Sequence, residues 1–139
     1  MTRPLLVALT ALAATTTTSL AGATESPAPI AVGEVAADAA SADVASLRDT
    51  AEGEIRQIDT SKLKRRYVVS FSVARAAAGD AVACTANAIL RDAKTGAMIA
   101  IIEAGAHAAG TTSDEAAKRV AHAAVRSAMR RIPTALGAK

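Results

Sequence analysis

Apolar residues recur along this chain in two distinct rhythms. Val44, Leu47, Ala51, Ile55 and Ile58 are spaced by three and four, which lays them along one stripe of a helix. Tyr67, Val69, Phe71 and Val73 then alternate with Val68, Ser70, Ser72 and Ala74, the period of a half-buried strand. Two further alternating runs follow, from Val82 to Arg91 and from Met98 to His107, with a turn at "AAAGD" (76–80) before them. The last rhythm is helical again: Ala117, Val120, Ala121, Ala124, Val125, Ala128 and Ile132 form an Ala-rich stripe of a helix over about 113–132. Thr112 and Ser113 are candidate N-caps, Asp114 and Glu115 suit its positive end, and Pro133 should stop it.

The pattern predicts an α+β domain: a three-stranded antiparallel sheet with an N-terminal and a C-terminal helix packed on it, in the order α-β-β-β-α. By parity, Val82, Cys84, Ala86, Ala88 and Leu90 share a face with Met98, Ala100, Ile102, Ala104 and Ala106, and the C-terminal helix should cover them. The opposite face is mixed. Ile89, Ile99 and Ile101 make its apolar centre, with Thr85, Asn87, Arg91, Glu103 and His107 around them. The first helix is expected to cover this face; left uncovered, it would be offered to a partner, which makes Ile89, Arg91, Ile99, Ile101, Glu103 and His107 candidate partner-binding residues.

Upstream of the domain the sequence changes character. Arg3, the apolar run Leu5 to Ala14 and the small residues Ala21-Gly22-Ala23 read as a signal peptide over residues 1–23, which predicts export to the periplasm or beyond. The run is shorter than the roughly 20 apolar residues that span a bilayer, so no membrane span is expected. Residues 24–43, "TESPAPIAVGEVAADAASAD", have no sustained apolar period and read as a flexible leader; residues 133–139 read as a disordered tail, leaving 44–132 as the domain.

Composition sharpens this picture. With one Phe, one Tyr and no Trp, the core must be built from aliphatic residues and alanine, whose methyl groups bury little area. The lone cysteine, Cys84, can form no internal disulfide, lies far from the expected cleavage region and so cannot take a lipid there, and reads as a small core residue. Charge is polarised: residues 24–60 carry two basic against eight acidic side chains, residues 61–139 thirteen against five. Either the acidic part packs on the basic part or a basic surface meets an anionic partner. Lys118, His122, Arg126 and Arg130 step by four along the outside of the last helix and are the candidate anion-binding residues.

Catalytic chemistry has little to stand on. Lys94-Thr95-Gly96, with Ser61-Lys62-Leu63-Lys64 and Ser113-Asp114-Glu115, echoes motifs of one serine-hydrolase group, but the order is wrong and the third motif lacks its Asn. Between two strands, Asp92 followed by Lys94-Thr95-Gly96 is the composition of a hairpin turn. Glu103 and His107 share a strand face, short of the three or four ligands a metal requires, and no phosphate loop or nucleophile-base arrangement is present; no cofactor is expected. Stacking aromatics are absent from the basic helix, which argues against nucleic acid, although Tyr67 follows "KLKRR" (62–66).

The stretches "LRDTAEGEIRQ" and "YVVSFSVARAAAGDAVACTANAILRDAKTGAMIAIIEAGAHA", with the Ala-rich final helix, resemble a small exported domain of myxobacterial proteins, sometimes joined to HEAT-repeat regions. The element order is similar to that of envelope lipoproteins of the penicillin-binding-protein-activator kind. The resemblance implies an α+β envelope protein that contacts other proteins; the chain departs from it in lacking a lipidated cysteine and internal repeats. The function expected is therefore a non-enzymatic binding or accessory module of the cell envelope, its partner a protein or an anionic cell-wall polymer. The alternative is a small exported enzyme or enzyme inhibitor.

Overall fold

The computed structural model describes residues 28–38 and 43–137. Residues 1–23, expected to form a signal peptide, lie outside the described residues. The elements are β1 (Ile30–Ala37), α1 (Val44–Arg56), β2 (Tyr67–Ala78), β3 (Ala81–Asp92), β4 (Met98–Ala108), α2 (Asp114–Arg130) and the single turn α3 (Ile132–Ala135). They build one four-stranded sheet in the order β1-β2-β3-β4, with β1 parallel to β2 and the other pairs antiparallel.

The α+β class is as expected, but three strands are corrected to four. β1 forms inside the stretch read as a flexible leader, so the domain begins by Ile30 rather than at residue 44. Its inward residues are Ile30, Val32, Val35 and Ala37, and the step of three in that series is a β-bulge: Val32 pairs with Val69 but Val35 with Phe71. One extra residue switches the parity of a strand, which removes the alternation that would reveal it. The bulge is fixed from two sides. The Glu34 N–H donates to Ser70 Oγ at 3.1 Å, and the Arg48 guanidinium of α1 donates to the carbonyls of Val32 and Gly33 at 3.1 and 2.7 Å. Gly33 is required by proximity, since a Cβ there would stand 2.6 Å from Ser70 Oγ and 2.7 Å from Val68 Cγ1.

A second correction concerns the helices. Both lie on the same side of the sheet: α1 packs on β1 and α2, and α2 packs on β3 and β4. Leu47, Ala51 and Ile55 of α1 join Ala117, Val120, Ala121, Ala124, Val125 and Ala128 of α2 in one core with Val69, Phe71, Val73, Val82, Ala86, Ala88, Leu90 and Ile102. Strand number explains this. Outer strands of a three-stranded sheet are about 10 Å apart, room for one helix, whereas a fourth strand widens the sheet by about 5 Å and admits a second at the usual 8–10 Å spacing. Cys84 lies in this core as expected, its Sγ 3.7 Å from the Ala117 carbonyl, and burial pushes its thiol pKa up.

α2 begins at Asp114 because Ser113 caps it, the Ala116 N–H donating to Ser113 Oγ at 3.2 Å. Pro133 does not end the structure there. Ile132 is fully buried and Pro133 occupies the first turn of α3, so residues 133–135 of the expected tail belong to a helical turn. Arg75 ties α2 to the sheet: its guanidinium donates to Asp114 Oδ1 at 3.0 Å and to the Thr112 carbonyl at 2.9 Å, while its N–H donates to Asp38 Oδ2 at 3.0 Å.

Gly53 sits inside α1, and a Cβ added there would meet nothing within 4 Å. Gly53→Ala should therefore raise the unfolding free energy by about 0.5–1 kcal/mol in denaturant titration, the difference in helix propensity.

Candidate functional site: the open sheet face

Among the described residues, no helix covers the second face of β3 and β4. Ile99 is 40% and Ile101 67% exposed, on a strand whose alternate residues Ile102 and Ala104 are buried; Met98, expected beside those two under the helix, is 55% exposed because the register shifts between Leu90 and Arg91. Ile101 faces Ile89, which is half-buried, and Arg91 pairs with Met98 across a bulge in the ladder. Glu103 stands opposite Asn87, and His107 opposite Ala83; both Glu103 and His107 are exposed. The six candidate partner-binding residues are thus brought together on one surface, with an aliphatic centre and charges of both signs at its rim. Ser70, Ser72 and Thr85 continue it toward β2 in smaller, more polar residues.

The β4 edge is partly closed. Arg131 Nη1 donates to the Glu103 carbonyl at 2.6 Å, occupying an acceptor that another strand would need.

Of the four candidate anion-binding residues, Lys118, Arg126 and Arg130 are exposed and His122 turns inward. His122 is half-buried between α1 and α2, with Thr50 Oγ1 2.6 Å from Nδ1 and Ser46 Oγ 3.2 Å from Nε2. Arg130 donates to both carboxylate oxygens of Glu54, at 3.2 and 3.3 Å, and Arg126 lies 4.0 Å from it. Glu54 is itself only 11% exposed in its side chain. Steps of four advance about 40° around a helix, so the row leaves Lys118 and follows the rim of the groove between the helices, where Arg126 and Arg130 stay exposed while facing Glu54. Ser46, Thr50 and Glu54 form the matching row on α1, a polar series at spacings of four beside the apolar stripe that the sequence reading passed over. The acidic N-terminal part does meet the basic C-terminal part here.

Burial lowers the pKa of His122, and the neighbouring Arg126 lowers it further. A histidine whose folded pKa lies below its ordinary 6.5 contributes stability that is complete above that value and is lost as pH falls through the folded pKa. Thermal melts should therefore show acid destabilisation beginning between about pH 7 and 5, well above the carboxylate range, and His122→Gln should flatten that part of the profile.

Lys94-Thr95-Gly96 is a hairpin loop, as its composition predicts. The Asp92 carboxylate accepts the N–H groups of Lys94 and Thr95 at 2.8 and 3.1 Å, and Gly96 adopts φ 73°, where a side chain would be strained. These N–H groups, Thr95 first, hold the buried Asp92 carboxyl below its ordinary range, with Arg65 assisting at 3.8 Å. Ser61 donates its hydroxyl to Asp59 at 2.6 Å and Ser113 caps α2, so the hydrolase-like serines serve local turns. No three His, Cys, Asp or Glu side chains cluster as metal ligands among the described residues, and none of the described helices is long and apolar enough to cross a membrane.

No family model and no curated protein matches the chain. Solved structures share its fold. A hypothetical protein from Chlamydia trachomatis aligns with a TM-score of 0.59 at 10% identity, over 79% of this chain and 98% of that one. A "putative lipoprotein" from Caulobacter crescentus CB15 aligns with a TM-score of 0.52 at 17% identity, over 80% and 92%. At these identities, what the chain shares with them is the α+β architecture.

Proposed function

We propose that this chain is a non-enzymatic binding module of the bacterial cell envelope, exported by its N-terminal segment, whose open sheet face docks a partner protein. One observation carries the reading: α1 and α2 occupy the other side of the sheet, so among the described residues no helix covers the aliphatic centre of Ile89, Ile99 and Ile101, which is ringed by Arg91, Glu103 and His107. An apolar centre with a rim of mixed sign is the make-up of a protein-protein interface, whereas a polyanion would meet a face of one sign. The Leu5 to Ala14 run and the small residues at 21–23 supply the export signal.

The test is retention of envelope proteins on the immobilised chain lacking residues 1–23, compared with two variants. Ile101→Lys places a charge at the apolar centre and should weaken retention at least tenfold, as loss of an interface anchor does. Lys118→Gln, on the helical side, should leave it unchanged. Equal retention by the Ile101→Lys variant, or no retained protein at all, would overturn the reading.

A further inference from the structure

Three of the hollows on the described surface differ in what their charges already meet. One, between β1 and α1, is lined by Ala28, Ile30, Ala31, Val32 and Ile55 together with Glu52 and Arg56, whose charges face each other at 3.9 Å. A second collects Arg126, Arg130 and Arg131, but the first two face Glu54 and the third holds the Glu103 carbonyl. The third, of about 650 Å³, lies at the end of the sheet. Lys64, Arg65 and Arg66, from the segment entering β2, form one wall, and Asp92 to Thr95 of the β3–β4 loop form the other.

Its walls are fixed to each other, the Ala93 N–H donating to the Arg66 carbonyl at 2.9 Å. Its one carboxylate, Asp92, is spoken for by the N–H groups of Lys94 and Thr95 and by Arg65. Lys64, Arg66 and Lys94 are exposed, and among the described residues none of the three has a carboxylate within 4 Å. Three like charges held around one cavity repel each other unless an anion enters it.

We infer that this cleft is an anion site, distinct from the open sheet face, and that its ligand is a phosphoryl group carrying two or more negative charges. A phosphomonoester or diphosphate concentrates about two charges on oxygens that both lysine and the planar guanidinium of arginine recognise, while a carboxylate brings one. That chemistry has two sources, a soluble phosphate compound or the phosphomonoester headgroups of a lipid surface.

Sodium pyrophosphate and vesicles of phosphatidic acid, a phosphomonoester lipid, in phosphatidylcholine serve as probes, read by amide NMR shifts and by cosedimentation. Pyrophosphate is expected to shift the amides of residues 93–97 and of Arg65 and Arg66, an effect that fades as ionic strength shortens the screening length to about 3 Å near 1 M salt. Lys64→Gln/Lys94→Gln should weaken binding tenfold or more, whereas Lys118→Gln/Arg119→Gln, an equal loss of charge at exposed positions of α2, should not. Binding of vesicles with pyrophosphate silent assigns the lipid source; binding of pyrophosphate assigns the soluble one. The inference is overturned if neither probe moves the hairpin amides, or if the two double variants lose binding equally. The wild-type amide map decides this even if a variant folds poorly.

Discussion

Leu90→Ala is expected to lower the unfolding free energy by about 2–5 kcal/mol, while Ile101→Thr, on the neighbouring strand, changes it by no more than about 0.5 kcal/mol. The two residues are similar in size and differ in the side of the sheet they occupy. Leu90 is fully buried beneath the helices in a core that contains a single aromatic residue, Phe71. Its removal leaves a cavity that small alanine neighbours cannot fill. Ile101 is 67% exposed, and its loss takes away little burial. Chemical denaturation of both variants checks the contrast through their midpoints. Near-equal losses would mean that the β4 face is covered as well.

The second large effect comes from making a residue bigger. Ala117, Ala121, Ala124 and Ala128 are inaccessible to solvent along the stripe of α2 that lies on β3 and β4. A row of methyl groups lets the helix sit close to the sheet, and close approach leaves no space for a longer side chain. Ala124→Leu should therefore cost about 1–3 kcal/mol despite adding apolar surface, because the helix must shift or the new side chain must leave its preferred rotamer. In a domain of this size a thermal melt would register each kilocalorie as a fall of roughly 4–8 °C. An unchanged or raised melting temperature would show that α2 stands off the sheet.

Much of this fold is legible in the sequence because its signals are local. The alternation from Tyr67 to His107, the Ser113 cap and the Asp92 to Gly96 turn each depend on neighbours a few residues away, and each has the form its composition dictates. The Lys-Thr-Gly triplet is a bend for the same reason: its N–H groups are taken by Asp92.

What escaped the sequence reading is long-range. β1 carries its inward residues at 30, 32, 35 and 37, so the bulge at Gly33 hides the strand's period, and its Ala-rich, Pro-flanked surroundings resemble a leader. Missing β1 then misplaced α1, since periodicity shows which stripe of a helix is apolar but not which side of a sheet receives it. In the row Lys118, His122, Arg126, Arg130 the same limit hides the partners on α1. Steps of four look like a uniform outer face until a second helix is present to take in His122 and set Glu54 against Arg126 and Arg130. Its counterpart Ser46, Thr50 and Glu54 was visible as a polar series but had no assigned neighbour. The cleft at the hairpin joins residues 64–66 to 92–95, which only the antiparallel pairing of β2 with β3 brings together.

The open face is most directly tested by methyl NMR of the isoleucine residues in the presence of a soluble, uncharged gadolinium chelate. Strong relaxation of the Ile99 and Ile101 methyl groups, with those of Ile30, Ile102 and Ile132 spared, is the predicted result. Protection of Ile101 to the same degree as Ile102 would place a covering layer over β4 and contradict the account.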